Sequence, residues 1–186
     1  MAEQSNTPTN LNDLPAALPV MALRRGVLLP GGAGPFVVGR PRSLSAVGHA
    51  RDGLLLIAAQ REPVSRPAPS DLLPTAILAR IVDRKKMPQG NAEQVVLEGV
   101  ARVTLTGFPS TQPHLEATFQ ALEDAWPDNN EADGMAQALR EEVEASAEVL
   151  GAEAVHGLLA MPPSRMVDVL ASGLKAGQDW LKDILT

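Results

Sequence analysis

The chain has 186 residues, 45% of them apolar, and a formal net charge of −6, which is the balance of a folded globular protein. It has no cysteine, which excludes disulfides, cysteine-ligated metals and a cysteine nucleophile. No apolar run approaches the ~18 residues of a membrane helix, and the polar start lacks the features of a secretory signal. We therefore expect a cytoplasmic protein that does not enter a membrane.

Charge is distributed unevenly along the chain. Residues 1–125 carry 12 Lys/Arg against 11 Asp/Glu, whereas residues 126–186 carry 4 against 11. This asymmetry predicts two structural units. We expect a flexible leader over residues 1–16, a β domain over 17–125 and a helical unit over 126–186. An acidic C-terminal unit would repel nucleic acid phosphates.

The middle of the sequence is typical of short strands separated by turns. Apolar or alternating runs predict strands over residues 18–23, 27–29, 36–38, 54–59, 76–82, 93–98, 100–106 and 114–122. A turn is predicted at Pro30–Pro35, because this segment combines two prolines with three glycines. A short helix is predicted over residues 43–50.

After Trp126 the spacing between apolar residues changes: they no longer recur at every second position but at every third or fourth. Met135, Leu139 and Val143 begin a stripe that continues to residue 150, with glutamates between its members. This pattern predicts an amphipathic helix with an acidic outer face. Two further helices are expected over residues 152–160 and from Ser164, which can cap the second. The architecture predicted is α+β, a β domain followed by a small helical bundle.

The sequence lacks the motifs of common catalytic and cofactor sites. The glycine-rich turn has no following Gly-Lys-Ser/Thr, so it is not a phosphate-binding loop. His49, His114 and His156 are far apart and show no metal-ligand spacing. No serine lies in a G-x-S-x-G motif. We expect no enzyme activity of the chain itself, no cofactor and no metal.

Seven arginines lie between residues 24 and 66, mostly near predicted turns. They are Arg24, Arg25, Arg40, Arg42, Arg51, Arg61 and Arg66. Three interpretations remain open: ordinary surface charge, a patch that binds acidic protein segments, and a nucleic acid site. The third is weakened by the acidic total and the lack of interleaved aromatic residues.

A series of short motifs, in order, resembles the N-terminal domain of the Lon protease family. The matching segments are Leu18–Arg24, Leu29–Gly31, Pro35–Arg40, Ala58–Arg61, Ala79–Ile81, Met87–Gly90 and Val95–Gly99. The resemblance covers residues 18–124 well and the helical part more loosely. The chain departs from the family pattern at Ala76-Ile77, where Gly-Thr is usual, and at Pro41, where an acidic residue is usual.

The resemblance implies a PUA-like β-barrel domain followed by a helical bundle. In full Lon proteases this region helps to select unfolded or tagged substrates and supports hexamer assembly. The ATPase and Ser-Lys protease domains of that ATP-dependent serine protease have no counterpart here. The chain ends at Thr186, sooner than the family's long linking helix would, which favours a stand-alone Lon-domain protein.

The resemblance and the basic residues together predict an interaction module that binds protein segments, as part of a protease or as a separate adaptor. We expect the partner-binding surface near the glycine-rich turn and the following helix. Its predicted residues are Arg24, Leu29, Phe36, Arg40 and Arg42, with leucine and phenylalanine for apolar contact and arginines for acidic groups. The alternative is nucleic acid binding through the PUA-like barrel, which rests on analogy of fold.

Overall fold

The structure is a computed structural model that describes residues 14–173 except Gln89 and Asp124. Its strands are β1 (Ala17–Leu23), β2 (Ala33–Val38), β3 (Leu54–Gln60), β4 (Leu72–Lys86), β5 (Glu93–Ser110) and β6 (Leu115–Ala121). Its helices are α1 (Pro41–Gly48), α2 (Asn130–Ala145), α3 (Ala147–Leu150), α4 (Ala152–Leu159) and α5 (Pro163–Gly173). A 3₁₀ turn covers Pro69–Asp71. Most of the predicted leader, and residues 174–186 of the predicted helical unit, lie outside the described residues.

One six-stranded sheet dominates the molecule, which confirms mixed α and β content. The strand order is β2-β5-β4-β3-β1-β6, and β6 also pairs with β5. The β1–β3 pair is parallel and the other pairs are antiparallel. The PUA-like barrel that the resemblance implies stays a prediction.

The sheet is apolar on both faces because its central strands alternate between two cores. In β3, Leu55 and Ile57 belong to one apolar cluster, whereas Leu56 and Ala58 belong to the other. Successive side chains of a strand point to opposite faces. This explains why residues 54–59 form a continuous apolar run, which is typical of strands buried on both sides.

Some strand boundaries differ from the prediction. The segment Val27–Leu29 is not a strand, and Leu28 and Leu29 are buried in irregular structure. The predicted turn ends earlier, because β2 begins at Ala33 and includes Pro35. Among the described residues β2 pairs only with β5. At such an edge, the missing N–H of a proline need not cost a ladder hydrogen bond.

The longest strand, β5, joins two runs that the sequence separates at Gly99. The amide of Gly99 donates to Gly32 O, and its carbonyl accepts from the Gly31 amide, both at 2.8 Å. A Cβ on Gly99 would lie 2.2 Å from the carbonyl oxygen of Leu29. Only glycine permits this approach between the strand and the segment before β2.

Residues of α2 to α5 form an apolar cluster of their own. Val143 of α2, Val155 and Leu158 of α4, and Met166 of α5 are buried together. The single helix predicted across residues 135–150 is interrupted at Ser146, which separates α2 from α3. Ser164 is not a cap, because α5 already begins at Pro163. None of the helices within the described residues is long and apolar enough to cross a membrane.

Helix α5 is tied to the sheet by a buried ion pair. The guanidinium of Arg102 on β5 donates to both oxygens of Asp168, at 2.6 and 2.5 Å. Asp168 is only 1% exposed. In the same helix Ala171 joins the core cluster that contains Leu28 and Leu29. The helix therefore closes one side of the sheet through a paired charge and an apolar contact.

Replacement of Asp168 by alanine is expected to lower the free energy of unfolding by about 3–5 kcal/mol, because the charge of Arg102 would stay buried without its carboxylate. Urea denaturation followed by circular dichroism measures the change. Asp128→Ala is the control, since Asp128 is exposed, and its effect should stay within about 0.5 kcal/mol. Equal effects of the two substitutions would contradict a stabilising role for the pair.

Gly99→Ala is expected to destabilise the fold by about 1–3 kcal/mol, because the added methyl group overlaps the carbonyl of Leu29. Gly34→Ala is the matched control, since Gly34 is also in a strand and its Cβ would meet nothing within 4 Å. Thermal unfolding of both variants distinguishes steric overlap from a general cost of changing a strand glycine. A Gly99→Ala protein as stable as the Gly34→Ala protein would refute the close approach.

Candidate functional site

A cavity of about 360 Å³ lies between β1, the start of α1 and the loop that follows β3. We call it the arginine cleft. Its floor is apolar and includes Val20, Ala22 and Leu115. Its rim carries Arg40 and Arg42 from the start of α1 and Arg66 from the loop, and the remaining lining residues are Pro41, Ser43, Ser65 and Pro67. No acidic side chain of the described chain lines this cleft.

Arg40 lies at the point where β2 turns into α1. Its Nη2 donates to the backbone oxygen of Ala22 at 2.5 Å. Burial, and to a lesser degree the nearby charge of Arg24, lower the pKa of Arg40. An arginine nevertheless keeps its proton in a protein, so Arg40 brings a positive charge to the edge of β1.

Arg24 and Arg42 hold the loop that forms one wall of the cleft. Arg42 donates from Nη1 to Pro67 O at 2.9 Å, and from Nη2 to the backbone oxygen of Thr111. Arg24 donates to Val64 O at 3.2 Å and to the Ser65 hydroxyl at 2.7 Å. These bonds end on backbone and hydroxyl oxygens, so none of them pairs either guanidinium with a carboxylate.

Arg66 differs from the other arginines of the rim. It is exposed, and within the described chain its side chain makes no hydrogen bond or ion pair. A guanidinium offers five N–H donors in a planar fork that matches a carboxylate. Arg66 is therefore the rim residue best placed to bind an acidic group without first breaking a contact inside the protein.

A second and smaller cavity adjoins the cleft. It measures about 190 Å³, and its lining includes Met21–Leu23 of β1, Phe36–Gly39 at the end of β2, Arg40 and Ser43. We call it the edge slot. Ala22, Arg40 and Ser43 line both cavities. The cleft and the slot thus meet at the hydrogen bond between Arg40 and the Ala22 carbonyl.

Four of the five predicted site residues lie around these two cavities. Arg40 and Arg42 line the arginine cleft, Phe36 is half-buried along the edge slot, and Arg24 bonds to the loop wall. Leu29 does not join them. It is only 2% exposed and packs in a core with Ala171 of α5. Leu29 instead lines a separate cavity beside the glycine-rich turn, with Phe36 and Ala171, so it lies outside both the arginine cleft and the edge slot.

Some cleft residues were not among those predicted from the sequence. Ala22, Leu115 and Arg66 line the cleft but come from separate segments. The sequence marks Arg66 as basic, yet nothing in its neighbourhood indicates that the loop folds back against α1. The two apolar residues look like ordinary strand positions, and only strand pairing places them in the floor.

The chain matches a known protein family over most of its length. The family model of the "ATP-dependent protease La (LON) substrate-binding domain" matches residues 17–185. The chain belongs to this family. The N-terminal domain of Mycobacterium avium complex Lon protease has a similar fold, with a TM-score of 0.68, 16% identity, and coverage of 91% of this chain and 89% of that one.

The family's full-length proteases are similar over a small part of their length. Lon protease 2 of Thermus thermophilus is 37% identical over 114 residues, which are 60% of this chain and 14% of that protein. Lon protease of Elusimicrobium minutum is 29% identical over 194 aligned positions, which cover 95% of this chain and 22% of that protein. The chain therefore spans about a seventh to a fifth of the length of these relatives.

Two histidines that are distant in sequence meet near the cleft. The rings of His49 and His114 have centroids 4.8 Å apart, and the Ser45 hydroxyl lies 2.9 Å from His114 Nδ1. His114 Nε2 is buried without a hydrogen-bond partner in the described structure. A serine–histidine nucleophile needs a third group that orients the imidazole, and the described residues supply none here. Nor do they contain a cluster arranged to bind a metal.

His114 is expected to make the protein less stable in mild acid. Burial, and then the charge of His49, lower the pKa of His114 below its ordinary value of about 6.5. The unfolded chain therefore binds a proton at pH values where folded His114 does not. This histidine's contribution is complete above pH ~6.5 and is lost as the pH falls towards the folded pKa.

Urea denaturation at several pH values between about 7 and 5 tests this prediction. The free energy of unfolding should fall less steeply for His114→Gln than for the unmodified chain. His156→Gln is the control, since His156 is exposed on α4. Equal pH slopes for the unmodified chain and His114→Gln would show that the buried imidazole does not resist protonation.

Proposed function

We propose that this chain is a protein-binding module that recognises segments of substrate proteins in the arginine cleft and has no catalytic activity of its own. Membership of the Lon substrate-binding family supports a role in substrate recognition. The observation that carries the proposal is the cleft itself, which combines an apolar floor with arginines and has no acidic lining residue among those described.

The chemistry of the cleft favours a segment with both apolar and acidic side chains. Apolar side chains gain by leaving water for the floor formed by Val20, Ala22 and Leu115. Carboxylates gain charge-assisted hydrogen bonds from the guanidinium of Arg66 and from donors of Arg40. Unfolded proteins expose apolar segments of this kind, whereas folded proteins bury them.

The wider role follows from the family. We propose that the chain works with an ATP-dependent protease in the cytoplasm, either as a part of it or as a separate adaptor. We also keep the proposal of a PUA-like barrel over residues 17–125 followed by a helical bundle over 126–186. The pairing of β6 with both β1 and β5 supports the barrel, since it links strands that lie near opposite ends of the strand order.

Charge reversal at Arg66 is the direct test. Arg66→Glu should weaken binding of a fluorescein-labelled peptide that alternates leucine and aspartate by about tenfold or more, because it replaces a charge-assisted bond with repulsion. Fluorescence anisotropy measures the dissociation constant. Lys85→Glu makes the same change of charge on the exposed end of β4, away from the cleft, and should leave the affinity within about twofold.

Three outcomes would contradict the proposal. One is equal weakening by Arg66→Glu and Lys85→Glu, which would indicate only a response to net charge. Another is undiminished binding to the Arg66→Glu protein. The third is that the unmodified chain does not bind the peptide but binds single-stranded RNA, with an affinity that falls steeply as the salt concentration rises. That result would favour the nucleic acid alternative.

A further inference from the structure

Strand β1 pairs with β3 along its second half and with β6 along its first half. Val20–Leu23 pair with β3, while β6 pairs with Ala17–Val20 only. Continuing the register of β6 past Leu115 and Val20 would set Pro113 opposite Ala22. A proline has no N–H to donate to a strand. The second half of β1 therefore presents an edge that no strand of the described chain covers.

Ala22 lies just beyond the end of the pairing between β1 and β6. Val20 is the last residue of β1 in that pairing, and Ala22 is two residues further along. Its carbonyl accepts a hydrogen bond from Arg40. The guanidinium thus stands where the N–H of a neighbouring strand would otherwise lie.

The end of β2 lies across the edge slot from this position. Phe36–Val38 and Met21–Leu23 line the same cavity. In the described chain β2 pairs with β5 alone, so its second edge is not bonded to a strand. Val37 in this segment is 68% exposed. The slot is therefore bordered by two strand segments, each with an edge that can accept another strand.

We propose that an extended, acidic segment of a substrate protein binds across the edge slot and the adjoining arginine cleft, which share Ala22 and Arg40, as an added strand on the Ala22 edge of β1. This inference rests on the proposed function and specifies its binding mode. An N–H of the segment replaces Arg40 at the Ala22 carbonyl. The displaced guanidinium then pairs with a carboxylate of the segment, and its neighbour Arg24 adds positive charge.

Strand addition explains how one cleft serves many sequences. Backbone hydrogen bonds supply affinity without regard to side-chain identity, while alternate side chains supply selectivity. In an extended segment every second residue lies on the same side. One set would face the apolar floor at Val20 and Leu115, and the other set would face the arginines. The recognised feature is then an alternation of apolar and acidic residues.

Backbone methylation of the peptide separates this mode from binding through side chains alone. Two versions of the leucine–aspartate peptide carry N-methyl groups on either the leucines or the aspartates. Only one set of amides can face β1 in an added strand, so one version should bind about tenfold more weakly or worse. The other should bind within about threefold of the unmethylated peptide.

A second peptide of the same composition places its leucines and aspartates in separate blocks, which removes the alternation but keeps the charge. It should bind at least about tenfold more weakly to the unmodified chain. Equal effects of both methylations, or equal affinity of the blocked peptide, would refute strand addition. If those results came with a loss of affinity in Arg66→Glu, the proposed function would stand. If no peptide bound at all, both proposals would fail.

Discussion

The carboxylate of Asp168 and the guanidinium of Arg102 form the contact on which the arrangement of sheet and helices depends. The guanidinium donates two hydrogen bonds to the carboxylate in a place that water hardly reaches. A lone charge there would be costly, so each partner requires the other. The pair fixes α5 against β5. The helix in turn covers Leu28 and Leu29, whose segment makes the bonds to Gly99 and leads into β2.

The position of β2 determines where the candidate site forms. Because β2 ends at Val38, Arg40 lies within reach of the Ala22 carbonyl, and α1 starts beside β1. The loop after β3 is held on the other side by Arg24 and Arg42. The arginines thus have two roles, since some shape the wall of the cleft through backbone oxygens and Arg66 remains exposed at its rim. The same charges that build the cleft underlie the preference for acidic partners that we propose.

An unpaired strand edge is usually a hazard, because it invites pairing with another chain. In this fold the edge of β1 lies in a recess and its carbonyl at Ala22 is occupied by a side chain. Such an arrangement limits uncontrolled pairing, since an incoming strand must displace a charged hydrogen bond. A segment that brings its own carboxylate can compensate for that loss. In the proposed binding mode, chemical selectivity and protection of the edge both depend on Arg40.

Local sequence determined the elements and the family. Continuous apolar runs marked buried strands such as β3, the change of period after Trp126 marked the helices, and the ordered motifs identified the Lon substrate-binding family. Tertiary structure decided what local patterns do not encode. Leu29 looked available beside its turn but lies beneath α5, because burial depends on what packs from elsewhere in the chain. Ala22, Arg66 and Leu115 became one cleft only through strand pairing and a folded loop, since contacts between distant segments leave no local pattern in the sequence.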